Sequence, residues 1–189
     1  MIDPILYIVA ILSLLGAPGP TNVLLATAGA TSGTRGAVKL LGAALAGYLI
    51  AVAALRFALG PVIEAHPLVG IALKVAVALY LGWGAVALWR RSAALTGDEA
   101  VSRRAVFVAT LLNPKSLVFA FGVIPSTHPA LWAYVAAFAV AIPVVGLGWL
   151  LIGRAIGAAS GERHAGLVRK VASVALVGFA ALLVRSAFG

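Results

Sequence analysis

The chain alternates long apolar runs with short clusters of charge, glycine and serine. A helical membrane crossing needs about 20 mostly apolar residues. Six runs meet that length: Pro4–Ala28, Lys39–Leu59, Pro67–Trp89, Ala105–Ile124, Ala130–Ile152 and Leu167–Phe188. The last is the weakest, because Arg169 and Lys170 must sit at its edge. Stretches such as "KVAVALYLGWGAVALW" are apolar on every face, as a membrane helix is, whereas a membrane-barrel strand alternates polar and apolar residues. The pattern predicts an all-α, polytopic membrane protein with six transmembrane helices in a single domain over residues 1–189.

Composition narrows the solvent to lipid. Of 189 residues, 63% are apolar and 10% charged, with a mean hydropathy of +1.12. A soluble domain is about 45–50% apolar and about 25% charged. Cysteine is absent, which excludes disulfides, thiolate metal sites and thiol-redox chemistry. The N-terminal segment carries Asp3 and no Lys or Arg, the wrong charge for a cleaved signal peptide, so Met1 is expected to open the mature protein.

Charge then gives a direction to each crossing. The net charge of +9 is not gathered on one basic face interleaved with aromatics, so nucleic acid is not the expected partner; the lipid bilayer is. The odd-numbered loops hold ten basic residues: Arg35, Lys39, Arg90, Arg91, Arg103, Arg104, Arg154, Arg163, Arg169 and Lys170. The opposite side holds Arg56 and Arg185. Basic loops stay cytoplasmic, which places both termini outside. Spans one to three and four to six then run in opposite directions. This predicts two inverted three-helix repeats, about 1–92 and about 105–189, joined by a cytoplasmic linker over about 90–104.

The first span of each half is interrupted: "GAPGPTN" in one and "NPK" in the other. Irregular backbone survives at membrane depth only where it lines a cavity or is covered by protein. Pro18, Gly19 and Pro20 should free carbonyls near Ser13 to Gly16, with Thr21 and Asn22 at the start of a second half-helix, whose N-terminus favours a carboxylate. Asn113, Pro114 and Lys115 repeat the pattern. A lone proline in a membrane helix is usually a kink. Two such sites flanked by Asn, in matched spans, favour a substrate site. Lys115 falls near the middle of its span, where a charge costs at least about 2.5–3.5 kcal/mol; it is a candidate partner for a substrate carboxylate or a coupling group, against the alternative of a snorkelling or carbonyl-capping lysine. Lys74 lies nearer a span end and is expected to snorkel. Tyr48 puts a hydroxyl in the second span, and Gly42 and Gly47 read as helix-packing positions. The four tryptophans sit mainly toward span ends, as interface anchors do. Asp3 and Glu64 are expected outside, and Asp98 and Glu99 inside. His66, His128 and His164 lie in loops without metal-ligand spacing, and no phosphate-binding loop or nucleophile elbow occurs. No enzyme activity, cofactor or metal is therefore expected.

Three motifs together resemble the lysine-exporter (LysE/RhtB) family of amino-acid efflux proteins. These are "GAPGPTNVLLATAGATSGTRGAVKLLGAALAG", "ALKVAVALYLGWGAVAL" and "LLNPKSLVFAFGVIP", in order between about Leu14 and Pro125. The resemblance implies a bacterial inner-membrane exporter of amino acids or related small solutes, driven by the proton gradient. Its substrate would be met by Pro18, Gly19, Pro20, Thr21 and Asn22 and by Asn113, Pro114 and Lys115. Where the family commonly places an acid after the glycine of its second helix, this chain has Tyr48, and Thr21 intervenes between Pro-Gly-Pro and Asn22. A neutral amino acid or another small solute fits that change at least as well as lysine. The small-residue faces leave room for a homodimer. The alternatives are a membrane assembly or lipid-handling factor on the same fold, and a small-ion transporter, which the lack of Cys and of intramembrane acids argues against.

Overall fold

The computed structural model describes residues 3–90, 101–125 and 128–158, with scattered positions between 173 and 185. Most of the sixth predicted span and most of the linker lie outside the described residues, as do Arg91, Asp98, Glu99, Arg163, His164, Arg169 and Lys170. Among the described residues there are helices and no strands. They are α1 (Pro4–Gly16), α2 (Pro20–Ala37), α3 (Leu40–Ala65), α4 (Pro67–Arg90), α5 (Arg103–Leu111), α6 (Lys115–Val123) and α7 (Leu131–Ala158). By length and composition α3 and α7 can each cross a membrane. The pairs α1–α2 and α5–α6, bent by 63° and 49°, can each serve as one further crossing.

The bends follow from proline sterics. A residue before proline is pushed from helical to extended backbone. Ala17 precedes Pro18 and has ψ 141°; Gly19 precedes Pro20 and is fully extended. Pro20 then opens α2 at the first helical position, where its missing N–H is no loss. Asn113, also followed by a proline, separates α5 from α6. The expected first span stopped at Ala28, but α2 continues to Ala37, with a break at Gly33 (φ +66°). Asp3 caps α1 by accepting from the Ile5 N–H at 2.7 Å. Both α3 and α6 contain a π-helical segment, Ala54–Leu59 and Phe119–Val123. Such widened turns concentrate at functional positions. Pro143 lies inside α7, as membrane helices tolerate.

Packing centres on α2 and α7, which run parallel, Ala26 against Gly153 and Ala30 against Gly157. Small residues let backbones approach closely here. A methyl group on Gly29 would lie 2.1 Å from the Leu150 carbonyl oxygen, and one on Gly153 would lie 1.9 Å from that of Ala26. The second contact of this kind joins α3 to α5, where a methyl on Gly47 would lie 2.8 Å from Thr110 Cβ. Gly42, expected to share the packing role, has nothing within 4 Å. Phe119, Phe138, Ile11, Leu25 and Leu150 fill the interior between these contacts.

Candidate functional site

The two breaks meet. Seven polar side chains are buried among the described residues, and five of them, Thr21, Asn22, Thr110, Asn113 and Lys115, form one hydrogen-bonded group with Tyr48 around the bends. Burial of a polar group is tolerated only with partners, so each contact can be traced.

The carbonyls of Leu15 and Ala17 stand at the C-terminal end of α1, where the helix stops and no following turn donates to them. Asn22 Nδ2 donates to Leu15 O at 2.7 Å and to Ala17 O at 2.8 Å. Both neighbours are acceptors, which fixes the amide orientation. Lys115 Nζ donates to the same two oxygens, to Leu15 O at 3.4 Å and to Ala17 O in a shorter contact. Each carbonyl has two lone pairs, so Asn22 and Lys115 saturate both. Ser13 O, expected to be free, accepts from the Ala17 N–H instead. The carbonyl end of a helix is its negative pole, so the ammonium sits where the dipole favours a cation. The N-terminus of α2, where a carboxylate was expected, faces this ammonium: a methyl on Gly19 would lie 3.2 Å from Lys115 Cε and 3.4 Å from Nζ.

The rest of the network is directional. Thr110 gives its one hydroxyl proton to Val106 O at 2.7 Å, so it can only accept in its 3.0 Å contact with Thr21 Oγ1. Thr21 is therefore the donor there, and accepts from Asn113 Nδ2 at 3.0 Å. The second N–H of that amide reaches the Tyr48 hydroxyl at 3.0 Å. Asn113 Oδ1 accepts from the Lys115 backbone N–H at 3.0 Å, which ties the network to the start of α6. The Tyr48 ring stands edge-on to Phe119 and Phe138, with centroids 6.0 and 6.1 Å away.

Over residues 12–187 the sequence matches the family described as LysE type translocator. The chain belongs to that family. Neither a curated protein nor a solved structure matches it. Membership makes the chain a membrane transporter rather than an enzyme. In this LysE-type chain Thr21, Asn22, Tyr48, Asn113 and Lys115 come together, while Pro18, Gly19, Pro20 and Pro114 shape the backbone around them.

Three features of this LysE-type chain escape the linear pattern. Thr110, one turn before Asn113, carries the end of the hydroxyl chain; a polar side chain in an apolar run was its only signal. Ser116 Oγ is buried without a partner among the described residues. Arg56, read as an outer-side charge, is half-buried, and its Nη1 donates to Ala120 O and, at 2.9 Å, to Ile124 O. It thereby satisfies carbonyls at the π-helical end of α6. Lys74, expected to snorkel, lines a cavity of about 390 Å3 beside Leu117, Val118 and Phe121. No group of His, Cys, Asp and Glu able to hold a metal occurs among the described residues.

Proposed function

We propose that this LysE-type chain is a secondary exporter of amino acids or related small solutes, proton-coupled and working by alternating access around its two broken helices. One observation carries the reading. Lys115 is 3% exposed, and its ammonium is held by two backbone carbonyls and by no carboxylate among the described residues. A cation in that setting is a strong site for an anionic group, because a full charge outweighs the partial charges of carbonyls at low dielectric. A solute carboxylate meets Lys115, and its remaining polar groups meet the hydrogen-bonding capacity that Thr21, Asn22, Asn113 and Tyr48 keep spare while their own bonds persist. Lys115 is the only buried Lys, Arg, Asp, Glu or His among the described residues, so the coupled proton is assigned to its amine. The parallel packing of α2 on α7 suits spans one and five of two inverted repeats with both termini outside.

Counterflow in proteoliposomes, with a panel of labelled neutral and basic amino acids, tests this. The chain should exchange at least one of them, flux should respond to an imposed pH gradient, and Lys115→Met should abolish it while keeping the helical circular-dichroism spectrum. Absence of flux across the panel would favour an assembly or lipid-handling role. Full flux in Lys115→Met would remove the site assignment.

A further inference from the structure

The far ends of α3 and α6 border a second, open-sided space of about 580 Å3, lined by half-buried Arg56, exposed Phe57, Glu64 and Phe121, and Ile124 among others. That volume suits a small solute. None of its lining residues belongs to the network around Lys115. Two opposite charges face it from one helix, about two turns apart.

Arg56 is only partly used. Both of its hydrogen bonds leave from Nη1, to Ala120 O and Ile124 O. A guanidinium has five N–H groups in a fixed plane, and the edge made by Nε and Nη2 presents two parallel donors. That edge matches a carboxylate in bidentate geometry. No described residue accepts from it, and no ion pair among the described residues joins Arg56 to Glu64. The carbonyl contacts meanwhile anchor the guanidinium at the π-helical end of α6, so its free edge is pre-oriented rather than mobile.

We propose that this cavity is a second solute site, which binds a free zwitterionic amino acid by its carboxylate on the Nε–Nη2 edge of Arg56 and by its ammonium on Glu64. Its ligand class rests on the exporter reading; its geometry does not. In the topology with both termini outside, it lies at the extracytoplasmic end, where an exported solute leaves.

Phenylglyoxal labelling of the full chain in detergent micelles, with Arg56 modification mapped by mass spectrometry, tests the proposal. A mixture of neutral L-amino acids should slow Arg56 labelling by at least about fivefold once its concentration exceeds the dissociation constant about fourfold. Isoamylamine, which has no carboxylate, should give no protection, and 4-methylpentanoate, which has no ammonium, should give much less. Glu64→Gln should reduce protection by the amino acids to the level of 4-methylpentanoate. Lys115→Met should leave protection intact, so a failed counterflow experiment with retained protection removes the exporter reading and keeps the outer site. The proposal is overturned if Arg56 resists phenylglyoxal without added solute, if amino acids and 4-methylpentanoate protect equally, or if Lys115→Met abolishes protection. Protection that requires phosphatidylethanolamine in the micelle, rather than added amino acid, would assign the cavity to a lipid headgroup and also overturn it.

Discussion

Gly153→Ala should destabilise the protein, because the space beside Gly153 is taken by backbone. The added methyl would sit 1.9 Å from Ala26 O, 2.6 Å from its carbonyl carbon and 2.7 Å from its Cα. An ordinary contact begins at 3.4 Å, and none of these atoms can rotate away. The helices must therefore part by about 1.5 Å, which breaks the close seam between α2 and α7. Overpacking of this kind costs about 1–3 kcal/mol, occasionally more. Alanine returns up to about 1 kcal/mol through helix propensity. A net loss of about 1–2 kcal/mol is expected, a fall of about 2–8 °C in thermal midpoint for a chain of this size. The same helix supplies the controls. Gly157→Ala meets Ala30 O at 3.0 Å and should cost less, and Gly148→Ala meets nothing within 4 Å and should be neutral or slightly stabilising. Thermal unfolding in micelles, followed by far-ultraviolet circular dichroism, measures the series. If Gly148→Ala is as harmful as Gly153→Ala, the close parallel seam between α2 and α7 is refuted.

Two further perturbations probe separate parts of the fold. Tyr48→Phe keeps the ring against Phe119 and Phe138 but strips the acceptor from one Asn113 N–H, so stability should fall by about 1–3 kcal/mol in the same unfolding assay; an unchanged midpoint would show that the N–H finds another partner. Gly33 has φ +66° and ψ 169°, a region nearly closed to other residues, with nothing within 4 Å of the methyl position. Gly33→Ala and Gly33→Ser should therefore both lose about 1–3 kcal/mol by backbone strain alone, and unequal losses would point to a side-chain cause.

How much of this was written in the sequence depends on which force placed each group. The breaks at Ala17–Pro20 and Asn113–Pro114 were legible because proline acts on its immediate neighbours, whatever the tertiary context. Lys115 was legible because a charge within an apolar run has few explanations. The contacts that join helices were not. When a helix is apolar on all sides, its periodicity does not say which face meets a neighbour, so Gly29 and Gly153 looked like any other glycine and Gly42 like Gly47. The same blindness hid Thr110. Arg56 was legible only in part for a related reason: as a number in a loop charge count it marked only a side of the membrane, whereas the structure shows it bonded to two carbonyls of another helix.

The sharing of Leu15 O and Ala17 O between Asn22 and Lys115 bears on how a solute could act. If Lys115 alone capped these carbonyls, drawing its ammonium toward a carboxylate would strand two buried acceptors, at about 1–3 kcal/mol each. Asn22 holds both of them at 2.7 and 2.8 Å without help. The lysine can therefore leave while the end of α1 stays satisfied, and the energy of the new ion pair is not spent on repairing the break. Asn113 plays the matching part on the other side: it fixes the Lys115 backbone N–H and grips Thr21 and Tyr48 whichever way the lysine side chain points. The two asparagines thus hold the broken backbones in place, and Lys115 is the member of the network free to change partner. In the alternating-access cycle proposed above, that division would let one charge move while both bends persist.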